Sequence, residues 1–221
     1  MNMEKKRKKP KILLVVLLLL AAALGAVVWW QWGNLKALYL AGTMDAETIL
    51  EKETKQREKY QQELKQYGVE LIAPSRQEMD ALLNGEDISK EAEAEVKAES
   101  APTEEADAAG EIIARCVQEL YDCETALMAK LGGMKQAAIE EWKALPAEEQ
   151  TEEKKMALGM RGLDGCYVLE VEIDAQVQAI LDRYRAELKA IGADTAPMNT
   201  LWEYYCEEKA STKAYYLNKY F

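Results

Sequence analysis

The sequence predicts an all-α protein with a single N-terminal transmembrane helix, a helical stalk and linker, and a C-terminal antiparallel three-helix bundle. Three observations lead to this prediction. Residues 12–30 are apolar without interruption. The remainder is rich in helix-forming Ala, Glu, Lys, Leu and Gln, with one Phe and five Pro in the whole chain. After residue 111, apolar residues recur at spacings of three and four, as on a packed helix face.

The anchor is the segment 12–30, which reads ILLVVLLLLAAALGAVVWW and contains no charged or amide side chain. At 1.5 Å per residue it extends about 28 Å, close to the thickness of the hydrocarbon core of a bilayer. Trp29, Trp30 and Trp32 gather at its outer end, where indole rings favour the membrane interface. Residues 12–32 are therefore the predicted anchor with its interface residues.

The charges around the anchor predict its orientation. Residues 1–11 hold six Lys or Arg against one Glu, a net charge of +5, so residues 12–221 carry −16 of the total of −11. The positive-inside rule then keeps the N-terminal tail in the cytoplasm and places the rest of this single-pass protein outside. A signal peptide cleaved after Ala21-Ala22-Ala23 is the alternative, but the apolar run continues well beyond Ala23.

Residues 33–85 are predicted to form a helical stalk followed by a short helix. Thr43 or Asp45 would cap the stalk helix, and Gly68 would end it. Ser75 and Glu78 have the spacing of a capping box. The apolar stripe of the stalk is thin and consists of Ile49, Tyr60 and Leu64. Because this stripe is thin, the stalk is not expected to form a core alone.

An acidic linker rich in Ala and Glu occupies residues 86–110. It has few large apolar side chains, so it is predicted to be partly helical and partly disordered. Residues 111–221 form the predicted bundle. Its first helix begins within 103–110 and ends at Leu145-Pro146, and Thr151 and Gly192 bound the second helix. The third helix follows 194–197.

The two long helices carry the predicted core of the bundle, and their short connection predicts an antiparallel pair. The stripe of the first helix comprises Cys116, Leu120, Cys123, Leu127, Leu131, Met134, Ala138, Trp142 and Leu145. That of the second comprises Met160, Leu163, Cys166, Leu169, Ile173, Val177, Ile180, Tyr184, Leu188 and Ile191. A turn centred near residue 148 would bring Gly132 and Gly133 level with Gly162 and Gly165, which predicts a close approach of the two backbones or a local break in both helices.

Four cysteines outside the cytoplasm form an even set that could make disulfides. The same arithmetic of levels favours Cys116–Cys206, with Cys123–Cys166 as the remaining pair. Four buried free thiols are the alternative, because all four cysteines lie on apolar stripes.

The residue inventory excludes several chemistries. The chain has no histidine and no CxxC pair, so zinc sites and His-dependent triads are not expected, and no motif predicts a cofactor. Clustered Lys and Arg for nucleic-acid binding are absent outside the tail. Glu99-Ser100 resembles the Glu-Ser pair of lytic transglycosylases, but it lies in the linker, and 39 acidic residues make such pairs common.

The C-terminal helix is aromatic on more than one side, which predicts a surface for a partner. Trp202, Tyr205 and Tyr216 are expected to face the core. The predicted partner face comprises Tyr204 and Tyr215, which are expected to be exposed, with Lys209 and Lys213.

These features together predict a membrane-anchored, extracytoplasmic helical module that binds or scaffolds another cell-envelope component without catalysis. The layout is similar to that of small single-pass envelope proteins of bacteria. Its expected partners are the lipid bilayer and either an unknown envelope protein or a second copy. The alternatives are a cell-wall hydrolase that uses acidic residues, since one or two carboxylates suffice for that chemistry, and a secreted binding protein if the N-terminal segment is cleaved.

Overall fold

A computed structural model describes residues 32–86 and 104–220, and every regular element in these two ranges is helical. The prediction of an all-α protein is confirmed for this part of the chain. The elements are α1 (Trp32–Thr43), α2 (Ala46–Lys65), α3 (Arg76–Leu83), α4 (Glu104–Ala144), a 3₁₀ turn (Ala147–Glu149), α5 (Glu152–Ala190) and α6 (Ala196–Tyr220).

The predicted membrane anchor lies outside the described residues, together with Trp29, Trp30 and the pair Glu99-Ser100. Trp32 is the first residue of α1. Among residues 32–86 and 104–220, no helix is both long enough and apolar enough to cross a bilayer. The anchor therefore stays a prediction from the sequence.

Local sequence signals set the helix ends. The Thr48 amide donates a 2.8 Å hydrogen bond to Asp45 Oδ1, so Asp45 caps α2, whereas the Thr43 hydroxyl donates to the Tyr39 carbonyl oxygen. Past the end of α2, Gly68 has a φ of 71°, a conformation that glycine adopts without strain. The predicted end of this helix is confirmed.

The caps of the later helices are also as predicted. Ser75 and Glu78 form both bonds of a capping box at the start of α3. Thr151 Oγ1 accepts the Lys154 amide at 3.2 Å at the start of α5. Gly192, with a φ of 72°, follows the end of that helix.

Helices α4 and α5 form an antiparallel hairpin whose side chains are shifted from the predicted register. A symmetric turn at residue 148 would place Lys155 beside Glu141, but Arg161 makes the ion pair with Glu141, at 2.6 Å. Likewise Glu119 bonds Arg183 and Tyr184. Helical side chains point towards the N-terminus of their own helix. In antiparallel helices these displacements have opposite directions, so both shift the residues whose side chains meet in the same sense.

The described chain divides into two compact units. The first contains residues 32–56 and 204–220. Its apolar core consists of Leu40, Ile49 and Ala214, with Ala41, Met44 and Tyr215 packed against it. This grouping differs from the division made from the sequence, which placed the stalk and the C-terminal helix apart. The apolar side chains of α1, α2 and α6 pack against one another in this core. None of these three helices could bury its apolar side chains alone.

The second unit spans Arg57–Glu203. Its fully buried side chains include those of Tyr60, Leu64, Met79, Ile113, Val117, Val177, Leu181, Leu188, Met198 and Leu201. Tyr60 and Leu64 come from the predicted stalk, and Met79 comes from the short helix. Two of the three residues of the thin stripe are therefore core in this unit, where long-range packing adds to helix propensity.

The glycines do not make the predicted close approach of α4 and α5. Gly132 instead lies against the Leu82 carbonyl at the end of α3, where an added Cβ would overlap the oxygen. Gly165 faces the end of the Met134 side chain, and an added Cβ at Gly133 or Gly162 would have open space around it. The predicted close approach of the two backbones at these glycines is therefore wrong.

Candidate functional site

The partner face predicted on the C-terminal helix is not exposed as expected. Tyr204 is buried, with 7% of its surface exposed, and Tyr215 is half-buried against Leu40, Ile49 and Ala214. The expectation that both tyrosines are exposed is therefore wrong. The first unit combines this part of α6 with α1 and the start of α2, which were predicted to belong to a separate stalk.

The two lysines of that predicted face make contacts within the first unit. Lys213 Nζ donates to Asn34 Oδ1 at 2.5 Å. Lys209 Nζ lies 5.3 Å from the centre of the Tyr205 ring, within range of a cation–π interaction. Trp202, Tyr205 and Tyr216, which were expected to face the core, are half-buried. Of these aromatic side chains of α6, the one that is buried, Tyr204, was thus expected to be exposed.

All four cysteines are free thiols, so the structure contains neither Cys116–Cys206 nor Cys123–Cys166. The Cys116 sulfur lies 3.9 Å from the Met198 sulfur. Cys123 is buried and Cys166 is exposed. Burial raises the pKa of the Cys116 thiol to about 12 and that of Cys123 to about 11, with a smaller contribution from the nearby Glu119.

Acidic and sulfur side chains in the described ranges form no group of three or more that could hold a metal ion. The buried carboxylates, Glu53 and Glu208, belong to the first unit, as does the buried Ser211, which donates a 3.5 Å hydrogen bond to Gln56 Oε1. These groups are enclosed within packed helices, where they contribute polar contacts.

An open depression of about 280 Å³ lies at the turn end of the α4–α5 hairpin. Its lining residues are Glu141, Lys154, Ala157, Leu158 and Arg161. Glu141 and Arg161 pair with each other across it.

A different surface stands out on α5, and we refer to Met156, Met160, Leu163, Tyr167 and Val171 as its outer face. Their exposed fractions are 71%, 56%, 57%, 49% and 42%. Single exposed apolar residues are ordinary on a protein surface, but a contiguous patch of them marks an interaction site. These five recur at intervals of four, three, four and four, so they form one continuous stripe along the helix.

The outer face points away from α4. Gly165 faces Met134 of α4, and Leu158, two turns earlier, is buried. Leu163 is two residues from Gly165, which places it on the opposite side of the helix at 100° per residue. The expectation that Met160, Leu163 and Cys166 lie in the core is therefore wrong.

Two residues of the outer face, Met160 and Leu163, were recognised as apolar in the sequence but were predicted to lie on the core face of the helix. Apolar positions in the first half of α5 fit two stripes, and only one of them continues into the core stripe that begins at Ile173. A helix apolar on two sides indicates two packing partners, of which α4 is one. No protein-family model, curated protein or solved structure matches this chain.

Proposed function

We propose that this chain is a membrane-tethered helical module outside the cytoplasm. It binds or scaffolds another component of the cell envelope, either a different protein or a second copy, and has no catalytic activity of its own. The tether is the apolar segment 12–30, and the orientation follows from the basic tail before it.

One observation carries the binding role: the outer face of α5 is a stripe of large apolar side chains that nothing in the described chain covers. Fully burying one such side chain is worth about 1.5–3 kcal/mol. The positions follow the spacing by which one helix lies in an apolar groove or against another helix. A binding surface built in this way needs no titratable group, which agrees with the absence of catalysis in the proposal.

Affinity capture of the tagged full-length chain from its own membrane tests this proposal. Leu163→Glu places a charge at the centre of the outer face, and Val168→Glu places the same charge at an exposed apolar residue about 100° or more from the centre of the stripe. We expect wild type and Val168→Glu to recover the same partner, and Leu163→Glu to recover at least about tenfold less, since a charge in an apolar contact is costly to desolvate.

The proposal would be contradicted if Leu163→Glu recovered every component that wild type recovers. It would equally be contradicted if wild type recovered neither another protein nor an untagged copy of itself. Unchanged thermal unfolding of both variants is the control for folding.

A further inference from the structure

We infer that one side of α1 lies in the headgroup layer of the same bilayer that holds the apolar segment 12–30, so that the first unit rests on the membrane surface through this helix. This contact goes beyond the proposed function, which uses only α5 as a binding surface, but it rests on the membrane tether in that proposal. Its support comes from the exposed apolar side chains of α1, from the sequence just before α1 and from the charge of the first unit.

Helix α1 is apolar on two opposite sides. Ala37 and Leu40 are buried in the first unit. The exposed side of α1, as we call it, consists of Leu35, Leu38, Tyr39 and Gly42. Its three large side chains are 46%, 60% and 65% exposed. At 100° per residue these four positions fall within an arc of about 100°, whose centre is about 150° from Ala37 and Leu40. The exposed side is therefore a continuous apolar strip that faces away from the core.

The polar side chains that flank this strip are bonded to α6. Lys36 is the only charged residue of α1, and its Nζ lies 3.4 Å from Glu207 Oε1, with less than a third of either side chain exposed. Asn34 Oδ1 accepts a hydrogen bond from Lys213 Nζ at 2.5 Å. The exposed side of α1 thus carries no charge, and burial of its side chains in lipid would not desolvate one.

The sequence before α1 indicates what covers the exposed side. The apolar segment ends at Trp30, and α1 begins at Trp32. If the segment spans the hydrocarbon core as proposed, Trp30 lies at its edge, and a headgroup layer about 5–8 Å thick follows. Leu35 is five residues further, and even an extended chain of that length reaches only about 17 Å. An apolar strip held so close to a bilayer has lipid as its neighbour, and tyrosine favours this interface.

The first unit can approach lipid headgroups because it has no net charge. Residues 32–56 and 204–220 contain six Lys against six Asp or Glu. The whole net charge of −16 that follows the apolar segment is carried by residues 57–203. An acidic surface is repelled by anionic lipids, whereas a neutral surface is not. The charge distribution therefore favours the first unit as the part that contacts the membrane.

This contact determines the direction of α1 relative to the bilayer. If the exposed side lies in the headgroup layer, α1 runs along the surface, and Leu35, Leu38 and Gly42 are at similar depths. If α1 instead rose straight out of the bilayer, Gly42 would lie roughly 10 Å above Leu35, because a helix advances 1.5 Å per residue. The depths of these positions distinguish the two arrangements.

Fluorescence quenching in the full-length chain measures these depths. The parent carries Cys166→Ser and Cys206→Ser, which remove the exposed and the half-buried thiol. A nitrobenzoxadiazole label is attached in turn at Leu35→Cys, Leu38→Cys and Gly42→Cys. The matched control is Glu51→Cys, an exposed position of the first unit on the side of α2 opposite to the buried Ile49. The vesicles consist of phosphatidylcholine and a lipid with a nitroxide on its headgroup, and iodide is the quencher in water.

We expect the nitroxide lipid to quench the labels on the exposed side at least about threefold more strongly than the label at position 51, and to similar extents at positions 35, 38 and 42. Iodide should show the opposite preference. In the Gly42→Cys chain, Leu38→Glu should reduce quenching by lipid at least about threefold, because a charge is costly to bury. Leu38→Met should leave it unchanged. Unchanged thermal unfolding of both variants is the control for folding.

Three results would overturn the inference: equal quenching by lipid at positions 38 and 51, quenching that falls steeply from position 35 to position 42, or no effect of Leu38→Glu. A label whose emission is shifted to the blue but is not quenched by lipid would also overturn it, since protein would then cover this side. Extraction with alkaline carbonate separates these results from a failure of the tether. A chain that stays in the vesicles with position 38 in water loses only this inference, whereas a chain that is released loses the membrane tether of the proposed function as well.

Discussion

Gly132 in the middle of α4 lies against the backbone carbonyl of Leu82 at the end of α3, so closely that no side chain fits between them. Helix propensity alone would favour alanine at this position. The contact reverses that preference, because the atom opposite is backbone oxygen and cannot rotate away.

Gly132→Ala and Gly133→Ala should therefore change stability in opposite directions. Gly133 is the next residue of the same helix and has open space around it, so alanine there should raise the free energy of unfolding by up to about 1 kcal/mol. Alanine at 132 should lower it by about 1–3 kcal/mol, as overpacking does. Urea unfolding of the full chain measures both. Equal stabilisation by the two variants would contradict the contact with Leu82.

The burial of Tyr204 predicts that it contributes to stability. Tyr204→Ala should lower the free energy of unfolding by about 3 kcal/mol or more, as truncation of a buried aromatic residue does. Tyr167→Ala is the matched control, because Tyr167 is about half exposed and should change stability by about 0.5 kcal/mol or less at a concentration where the chain is monomeric. The burial of Tyr204 is disproved if the two variants unfold at the same urea concentration.

The four thiols should differ in reactivity. The pKa values of Cys116 and Cys123 are raised to about 12 and about 11, so both thiols are protonated at pH 8 as well as buried. Cys166 is exposed and should react first with iodoacetamide. We expect peptide mass spectrometry to find Cys166 labelled, and Cys116 and Cys123 labelled only after unfolding in urea. Rapid labelling of Cys116 in the folded chain is the result that this prediction forbids.

Asp194 should make stability depend on pH in the acid range. The Ala196 amide donates to its Oδ1 at 3.0 Å and the Tyr67 hydroxyl to its Oδ2 at 2.9 Å, and these bonds lower the pKa of Asp194 below 3.8. The stabilisation is therefore present above about pH 4 and is lost as the pH falls through the lower pKa of the folded state.

Asp194→Asn keeps an oxygen acceptor but does not titrate, so its melting temperature should fall less than that of wild type between about pH 4 and pH 2. Tyr67→Phe removes one donor, so the pKa of Asp194 in the folded state should lie closer to its unfolded value, and the loss of stability in acid should be smaller than in wild type. Parallel acid profiles of wild type and Asp194→Asn would show that this carboxylate does not contribute.

Helix ends could be predicted from the sequence because their causes are local. Asp45, Ser75 and Thr151 cap helices through bonds to amides three residues away, and Gly68 and Gly192 adopt positive φ immediately after helix ends. These interactions need no partner from elsewhere in the chain. The all-α class followed from the same signals and from composition.

The choice between faces of a helix could not be predicted in the same way. Leu163 and Ile173 lie in one helix and are similarly apolar, yet only Ile173 is buried. Conversely, Ile49 and Tyr60 seemed too sparse to form a core, and Tyr204 seemed to lie on the surface, but all three are buried. Periodicity shows that a residue lies on an apolar stripe, but which stripe is covered depends on the helices that pack against it.

Sequence by itself determined the helical class, the helix ends, the charge asymmetry and the apolar segment at the N-terminus, because each depends on residues within a few positions or on composition. Only the tertiary structure decided that Gly132 meets Leu82, that Tyr204 is enclosed and that the outer face of α5 is exposed. Those results depend on packing between helices distant in the chain, such as α3 against α4 at Gly132 and α4 against one side of α5. The same packing decides which side of α5 faces α4 and which side stays exposed.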